Sequence, residues 1–251
     1  MVQTQPTKLP VLKNKLYVVL FLLGLSGVKS FAQQNFFNVP SSDITEKKKI
    51  FFQQQFNLFA NSIASNTTLC YGLGNEFEIG LNVLGVTYGF DKRKFICNSK
   101  NEQPIYPSIG LNLQKQLFEL NNYSLAMGGQ LLHTFKPGEW EYYLLINNKY
   151  ELKKTKLIAG FYAGNNNYFG TEPRFSNGMK TFGVQVGIEY EIIHEKLFLQ
   201  ADFISGRTPM SNLILGGAYK LSNHWIISSG FQIPNSKKTS SSGLIVELTF
   251  V

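Results

Sequence analysis

The chain runs to 251 residues with a formal charge of +8 at neutral pH, a length that suits one β domain or barrel. Four of its lysines lie in a cleavable leader, and without them 20 basic residues face 16 acidic ones, a charge of +4. So mild a balance on an exported chain excludes a nucleic-acid partner, and the lack of a second apolar run of about 20 residues excludes crossing a bilayer by helices.

The leader comes first. Lys8, Lys13 and Lys15 precede the apolar stretch "LYVVLFLLGLSGV" (16–28), and Ser30 and Ala32 occupy the two small positions of a cleavage site. This pattern predicts a secretory signal peptide over residues 1–32. The next segment, 33–48, "QQNFFNVPSSDITEKK", lacks alternation and carries Pro40. It reads as a periplasmic lead-in, with a plain flexible terminus preferred over a plug tucked into a lumen.

From residue 49 to 251 apolar residues recur at every second position in segments of about ten, which is the period of a β-strand. Twelve segments are predicted: 49–60, 65–73, 76–87, 105–117, 122–134, 139–147, 154–164, 180–190, 196–204, 211–221, 224–233 and 242–251. In "EFEIGLNV" Phe77, Ile79, Leu81 and Val83 make one face, with Glu76, Glu78, Gly80 and Asn82 on the other. The connections alternate between short ones, such as 74–75 and 222–223, and long polar ones, such as 88–104 and 165–179. An even strand count with short turns at one end and long loops at the other is the layout of a transmembrane antiparallel up-and-down β-barrel.

Alternation is equally compatible with a soluble barrel or sandwich whose apolar face points inward. Export, the alternating loop lengths and a second face rich in glycine and uncharged polar residues favour the membrane. Aromatic residues at the strand ends add to this. Tyr71, Phe77, Tyr123, Tyr190, Tyr219, Trp225 and Phe250 fall toward the inner end of the apolar face, and Trp140, Tyr142 and Phe203 toward the outer end. Two such belts are what amphipathic rings favour at two membrane interfaces.

The leader ending in "AQ", the hairpin "GLGNEFEIGLNV" and the terminal "GLIVELTFV" resemble bacterial outer-membrane β-barrel proteins of about this length, porin-like or transporter-like families without a diagnostic motif. The resemblance implies residence in the outer membrane of a Gram-negative bacterium, contact with its lipid and lipopolysaccharide, and insertion by the barrel-assembly machinery. That machinery reads a final strand ending in an aromatic. In this chain the assembly signal is Phe250 with Val251 behind it, so the aromatic is penultimate.

On this reading the polar face lines a lumen. Glu76, Glu78, Lys156, Glu189, Lys220 and Glu247 are expected in one charged layer near the inner end, where opposite charges can pair. Gln53, Gln55, Asn82, Asn112, Gln130, Tyr162, Gln185, Gln200, Asp202 and Gln232 are further lining candidates. A structural network filling a narrow barrel is preferred over a charge-selective constriction. The outer loops are basic, among them Lys92, Arg93, Lys94, Lys100, Lys136, Arg174, Arg207, Lys237 and Lys238. Neutralising lipid phosphates is preferred over attracting anionic solutes.

No cofactor or metal site is expected, and His133, His194 and His224 are too scattered for ligation. A lipid hydrolase with a His and a Ser two residues apart is disfavoured, because the residue at that spacing from His133 is Phe135. Cys70 and Cys97 are placed too far apart to pair. The function expected is a passive channel or transporter-like protein for small solutes, with a non-conducting structural or adhesive surface barrel as the alternative.

Overall fold

A chain that enters lipid has to pair every backbone amide and carbonyl within itself, and strands achieve this by closing an antiparallel sheet. The computed structural model describes residues 35–96, 107–134, 140–169 and 182–251. The leader predicted over 1–32, Cys97, Phe135, and Lys100, Lys136 and Arg174 lie outside the described residues.

The strands are β1 (Ile50–Leu58), β2 (Ser62–Gly74), β3 (Phe77–Gly89), the short β4 (Lys94–Ile96), β5 (Ser108–Leu120), β6 (Tyr123–Thr134), β7 (Trp140–Leu152), β8 (Thr155–Gly164), β9 (Phe182–Ile193), β10 (Leu197–Ile204), β11 (Asn212–Lys220), β12 (Trp225–Pro234) and β13 (Gly243–Phe250). One helical turn, α1 (Asn166–Phe169), follows β8. Apart from β4, each strand pairs antiparallel with its neighbours in the chain, and β3 passes directly to β5 over Phe77–Leu84. β4 caps the far end of β3, with Tyr88 opposite Phe95. The ring closes where β1 meets β13, with Gln53 opposite Thr249, Gln55 opposite Glu247 and Asn57 opposite Ile245. The result is a closed barrel of twelve antiparallel strands with no free edge among them.

One rim carries the turns 75–76, 121–122, 153–154, 194–196 and 221–224; at the other rim the connections are longer, except the three residues 59–61 between β1 and β2. The turn at Asn75 (φ 52°) and Glu76 (φ 58°) has both central residues in the left-handed region, the mirror-type turn that matches the twist of a hairpin. Asn121 (φ 53°) serves the same purpose between β5 and β6.

Side-chain burial follows the period of two, with the polar face turned inward. In β3, Glu78, Gly80 and Asn82 are buried while Ile79 and Leu81 are exposed; in β12, Ser228 and Gln232 are buried while Ile227 and Phe231 are exposed. The outer wall is therefore a continuous apolar belt: Leu111, Leu131, Leu144, Phe161, Leu199 and Leu215 all stand open around the ring. A water-soluble barrel would have the opposite arrangement; a polar interior inside an apolar outer wall is the arrangement of transmembrane barrels. Ile146→Arg, near the middle of β7 on this wall, is expected to lower folding stability in lipid vesicles by about 2–4 kcal/mol; urea titration of the refolded protein measures it.

Candidate functional site in the barrel lumen

The inward polar side chains do not face an empty channel. Of the segment 33–48, expected to be a flexible periplasmic terminus, residues 35–45 instead lie inside the lumen, led there from β1 by the exposed residues 46–49. Phe36, Val39, Ser41 and Ser42 are completely buried, and Phe37 and Thr45 nearly so. The expectation failed because a segment without strand periodicity can still pack its own apolar residues. The adjacent Phe36 and Phe37, in a stretch otherwise composed like a linker, were the signal for it.

The tip of this segment is a tight turn closed by a bridge between Asn35 and Pro40 and by the Phe36 amide donating to the Val39 carbonyl at 3.1 Å. Asp202 of β10 holds the turn, its Oδ2 accepting the main-chain N–H groups of Asn38 (2.6 Å) and Val39 (3.0 Å). From the opposite wall Gln55 Nε2 donates to Asn38 Oδ1 at 3.1 Å. Lower down, Asn147 donates to the Pro40 carbonyl, Gln114 Nε2 to the carbonyls of Ser41 (3.0 Å) and Asp43 (2.9 Å), and Ser42 pairs with Ser124. Near the turn rim Glu78 Oε2 accepts both the Thr45 amide (2.7 Å) and hydroxyl (2.8 Å). The buried carbonyls and amides of the segment thus find partners on β1, β3, β5, β7 and β10, as groups removed from water require.

Glycines on the inner wall make room for the two phenyl rings. A Cβ on Gly187 would lie 2.4 Å from Phe36 Cδ2, and one on Gly216 or Gly230 would lie 2.7 Å from Phe37 Cζ. Phe36 and Val39 belong to one buried cluster with Leu132, Tyr143, Ile158, Tyr162, Tyr168 and Phe169, while Phe37 packs on Ile214 and Ile245. The inside of this barrel is packed like the core of a soluble domain, across polar walls. Gly187→Val is expected to weaken seating of the segment by about 1–3 kcal/mol through overpacking. In a Cys97→Ser background the readout is faster alkylation of Cys70, which is buried two residues from Gly72, itself covered by the Glu46 carbonyl.

The charged layer contains a member from this segment. Asp43 Oδ1 is ion-paired with Lys149 Nζ, and its Oδ2 lies 3.9 Å from Lys156 Nζ; Lys156 also lies 3.6 Å from Glu189 Oε1, and Lys149 lies 2.8 Å from Glu151 Oε1. Burial alone would raise the Asp43 carboxyl. The Lys156 and Lys149 ammonium groups, with hydrogen bonds from Lys149 and Ser41, outweigh it and hold the carboxyl below its usual range.

The predicted lining residues divide as follows. Glu78, Lys156, Glu189 and Glu247 are buried inside, with Gln200 Nε2 donating to Glu189 at 2.6 Å and Gln53 Nε2 touching Glu247 at 3.5 Å. Glu76 is not among them: it forms the exposed turn before β3, and its positive φ takes the side chain off the inner face. Lys220 is half-buried at the turn end of β11. Gln53, Gln55, Asn82, Tyr162, Gln185, Gln200, Asp202 and Gln232 are buried, and Asn112 and Gln130 are partly so. Gln185 links the wall sideways, donating to Asn147 Oδ1 (2.6 Å) and accepting from the Tyr143 hydroxyl (2.7 Å).

Lys149, Glu141, Gln114 and Asp43 escaped sequence reasoning. For Lys149 the signal was present, since the alternation of β7 continues through Asn148, Tyr150 and Leu152 beyond the predicted end at 147.

On the outer wall Tyr71, Trp140, Tyr142, Tyr190, Phe203, Tyr219 and Trp225 are exposed, and Phe77, Tyr123 and Phe250 are half-buried against neighbours. Trp225 and Phe250 meet edge to face at 5.1 Å. His133 also points outward and packs on Trp140 at 5.0 Å, its cross-strand partner. Among the described residues no group of His, Cys, Asp and Glu side chains is arranged to hold a metal.

Above the segment, toward the rim opposite the short turns, a cavity of about 340 Å³ remains, with Asn38 in its floor. Its walls are the lumen faces of β1, β2, β3, β5, β7, β11 and β12 near that rim and the connections at 59–61, 209–210 and 240–242. Tyr168 of α1 lines it, stacked on Tyr143 at 4.9 Å, its hydroxyl held protonated well above the usual range by burial and by the nearby Glu141 carboxylate.

No family model matches this chain, and no curated protein matches it. Among solved structures it is similar to the KdgM porin in complex with disordered oligogalacturonate, at 7% identity and a TM-score of 0.56, over 80% of this chain and 98% of that one. It is similar also to the NanC porin, at 5% identity and a TM-score of 0.54, over 81% of this chain and all of that one. At such identities the likeness speaks for the fold alone. Joined to the closed ring, the apolar outer wall and the polar interior, it gives the chain the fold of the bacterial outer-membrane β-barrels.

Proposed function

We propose that this protein is an outer-membrane channel for small polar solutes, closed by its own residues 35–47. The supporting observation is the chemistry of the boundary between segment and wall. The segment is attached through β1 and contributes no strand to the sheet, and the wall behind it presents Gln114, Ser124, Asn147, Lys149 and Lys156. Withdrawing it would leave a hydrated, polar-lined passage with the barrel's backbone pairing intact. A purely structural barrel has no such requirement and is served as well by apolar filling. The same reading puts the apolar belt against outer-membrane lipid and lipopolysaccharide, and assigns β13, ending in Phe250, to the barrel-assembly machinery.

Single-channel recording on the refolded full-length chain and on a chain lacking residues 33–46 tests the proposal. A folded but silent shortened chain would leave the structural or adhesive barrel as the reading. Lipid hydrolysis is not favoured: His133 lies against Trp140 and Ile109 on the outer wall, with no hydroxyl nucleophile as its cross-strand neighbour.

A further inference from the structure

The cavity above the segment has a chemistry that selects among solutes. Of its twenty lining residues among those described, six are Asn or Gln and five are Ser, with one carboxylate, Glu141, and no Lys or Arg. Glu141 is already engaged, accepting from the Ser108 hydroxyl at 2.8 Å. An anion entering here would lose water without meeting a cation, which is costly. Amides and hydroxyls, in contrast, offer donors and acceptors side by side, as the adjacent hydroxyls of a polyol do. Asn57 also lines the cavity, and its Oδ1 is buried with no hydrogen-bond partner among the described residues. The volume of about 340 Å³ is at the small end of ligand pockets, enough for a solute of one or two sugar rings.

We propose that this cavity is a binding site for an uncharged, polyhydroxylated solute of the sugar or polyol class, contacted by Asn57, Asn61, Asn212, Gln232 and Ser240. The inference deepens the channel reading by naming what waits at the mouth of the closed passage. The site is complete with the segment in place, because Asn38, tied to Asn212 and Gln55, forms its floor.

Saturation-transfer NMR on the refolded full-length protein in detergent tests it, with maltose, gluconate and glucosamine as probes. Maltose is expected to bind at about millimolar Kd, and gluconate and glucosamine at least about tenfold more weakly. Gln232→Leu combined with Asn57→Leu should weaken maltose by about tenfold, the loss of one or two hydrogen bonds. Ser242→Trp, an exposed loop substitution that leaves the strands untouched, should abolish binding by filling the cavity. Absence of transfer to maltose, equal or tighter binding of either charged probe, or binding indifferent to Ser242→Trp would each overturn the proposal. The measurement is made at equilibrium on the closed barrel, so it stands apart from conduction. Maltose binding beside a silent shortened chain would sink the channel and keep the site, and current without maltose binding would do the reverse.

Discussion

A chain lacking residues 33–46 is expected to conduct where the full-length chain is silent. With the segment seated, Phe36, Phe37 and Val39 occupy the lumen between β9, β11, β12 and the aromatic cluster on β7 and β8, and the carboxylates of Asp202 and Glu78 clamp its two ends. A section packed in that way is expected to block a continuous chain of water. Removing the segment takes no backbone hydrogen bond from the twelve strands, because its links to the wall are made by side chains except around Gly72, at the rim. Planar-bilayer recording should show a change from background to discrete current steps. The shortened chain should be less stable than the full one, since it loses the packing of two phenyl rings and leaves Lys149 and Lys156 without Asp43. Its circular dichroism should still report an intact sheet. A silent, folded, shortened barrel would reject the channel.

Asp43→Asn is expected to unseat the segment without unfolding the barrel. The Asp43 carboxylate is a counter-charge of two buried ammonium groups, which Glu151 and Glu189 also serve, and removing one member of such an arrangement costs at most about 3–5 kcal/mol. That cost falls on the seated state alone, because the released segment and the opened lumen are both hydrated. Alkylation of Cys70 in a Cys97→Ser background should accelerate by orders of magnitude, and intermittent current should appear in the full-length chain.

The pH dependence has a definite sign. Held below its usual range while seated, the Asp43 carboxyl favours the seated state fully above its released value, about 4. That preference is lost only as pH falls through the lower, seated value. The segment should therefore stay in place from neutral pH to about 5 and leave under strong acid. Release on moderate acidification to about pH 6 would show that another group controls the seat.

The fold was legible because its information is local. Each strand carries its own period of two, so Phe77, Ile79 and Leu81 can be assigned a face without knowing any partner strand. Twelve such segments with short turns at one end imply closure, and the closure of β1 on β13 follows from the exclusion of free edges in lipid. Local reading failed where local geometry departs from the period, as at Glu76, where a turn with two positive φ angles removes a residue from the strand it seemed to begin.

The sequence by itself determined the barrel, its strand number and which face of each strand forms the apolar outer wall, because alternation and turn chemistry act between near neighbours. Only the tertiary structure decided what fills the lumen. Asn38 and Asp202 stand 164 residues apart, and Asp43 and Lys149 stand 106 apart. Nothing in the composition of either segment marks the other as its partner. A short apolar pair such as Phe36-Phe37 acquires meaning only when a closed ring places Gly187, Gly216 and Gly230 opposite it. The barrel is thus written in every strand, while the filling of its lumen depends on contacts that exist only once the ring has formed.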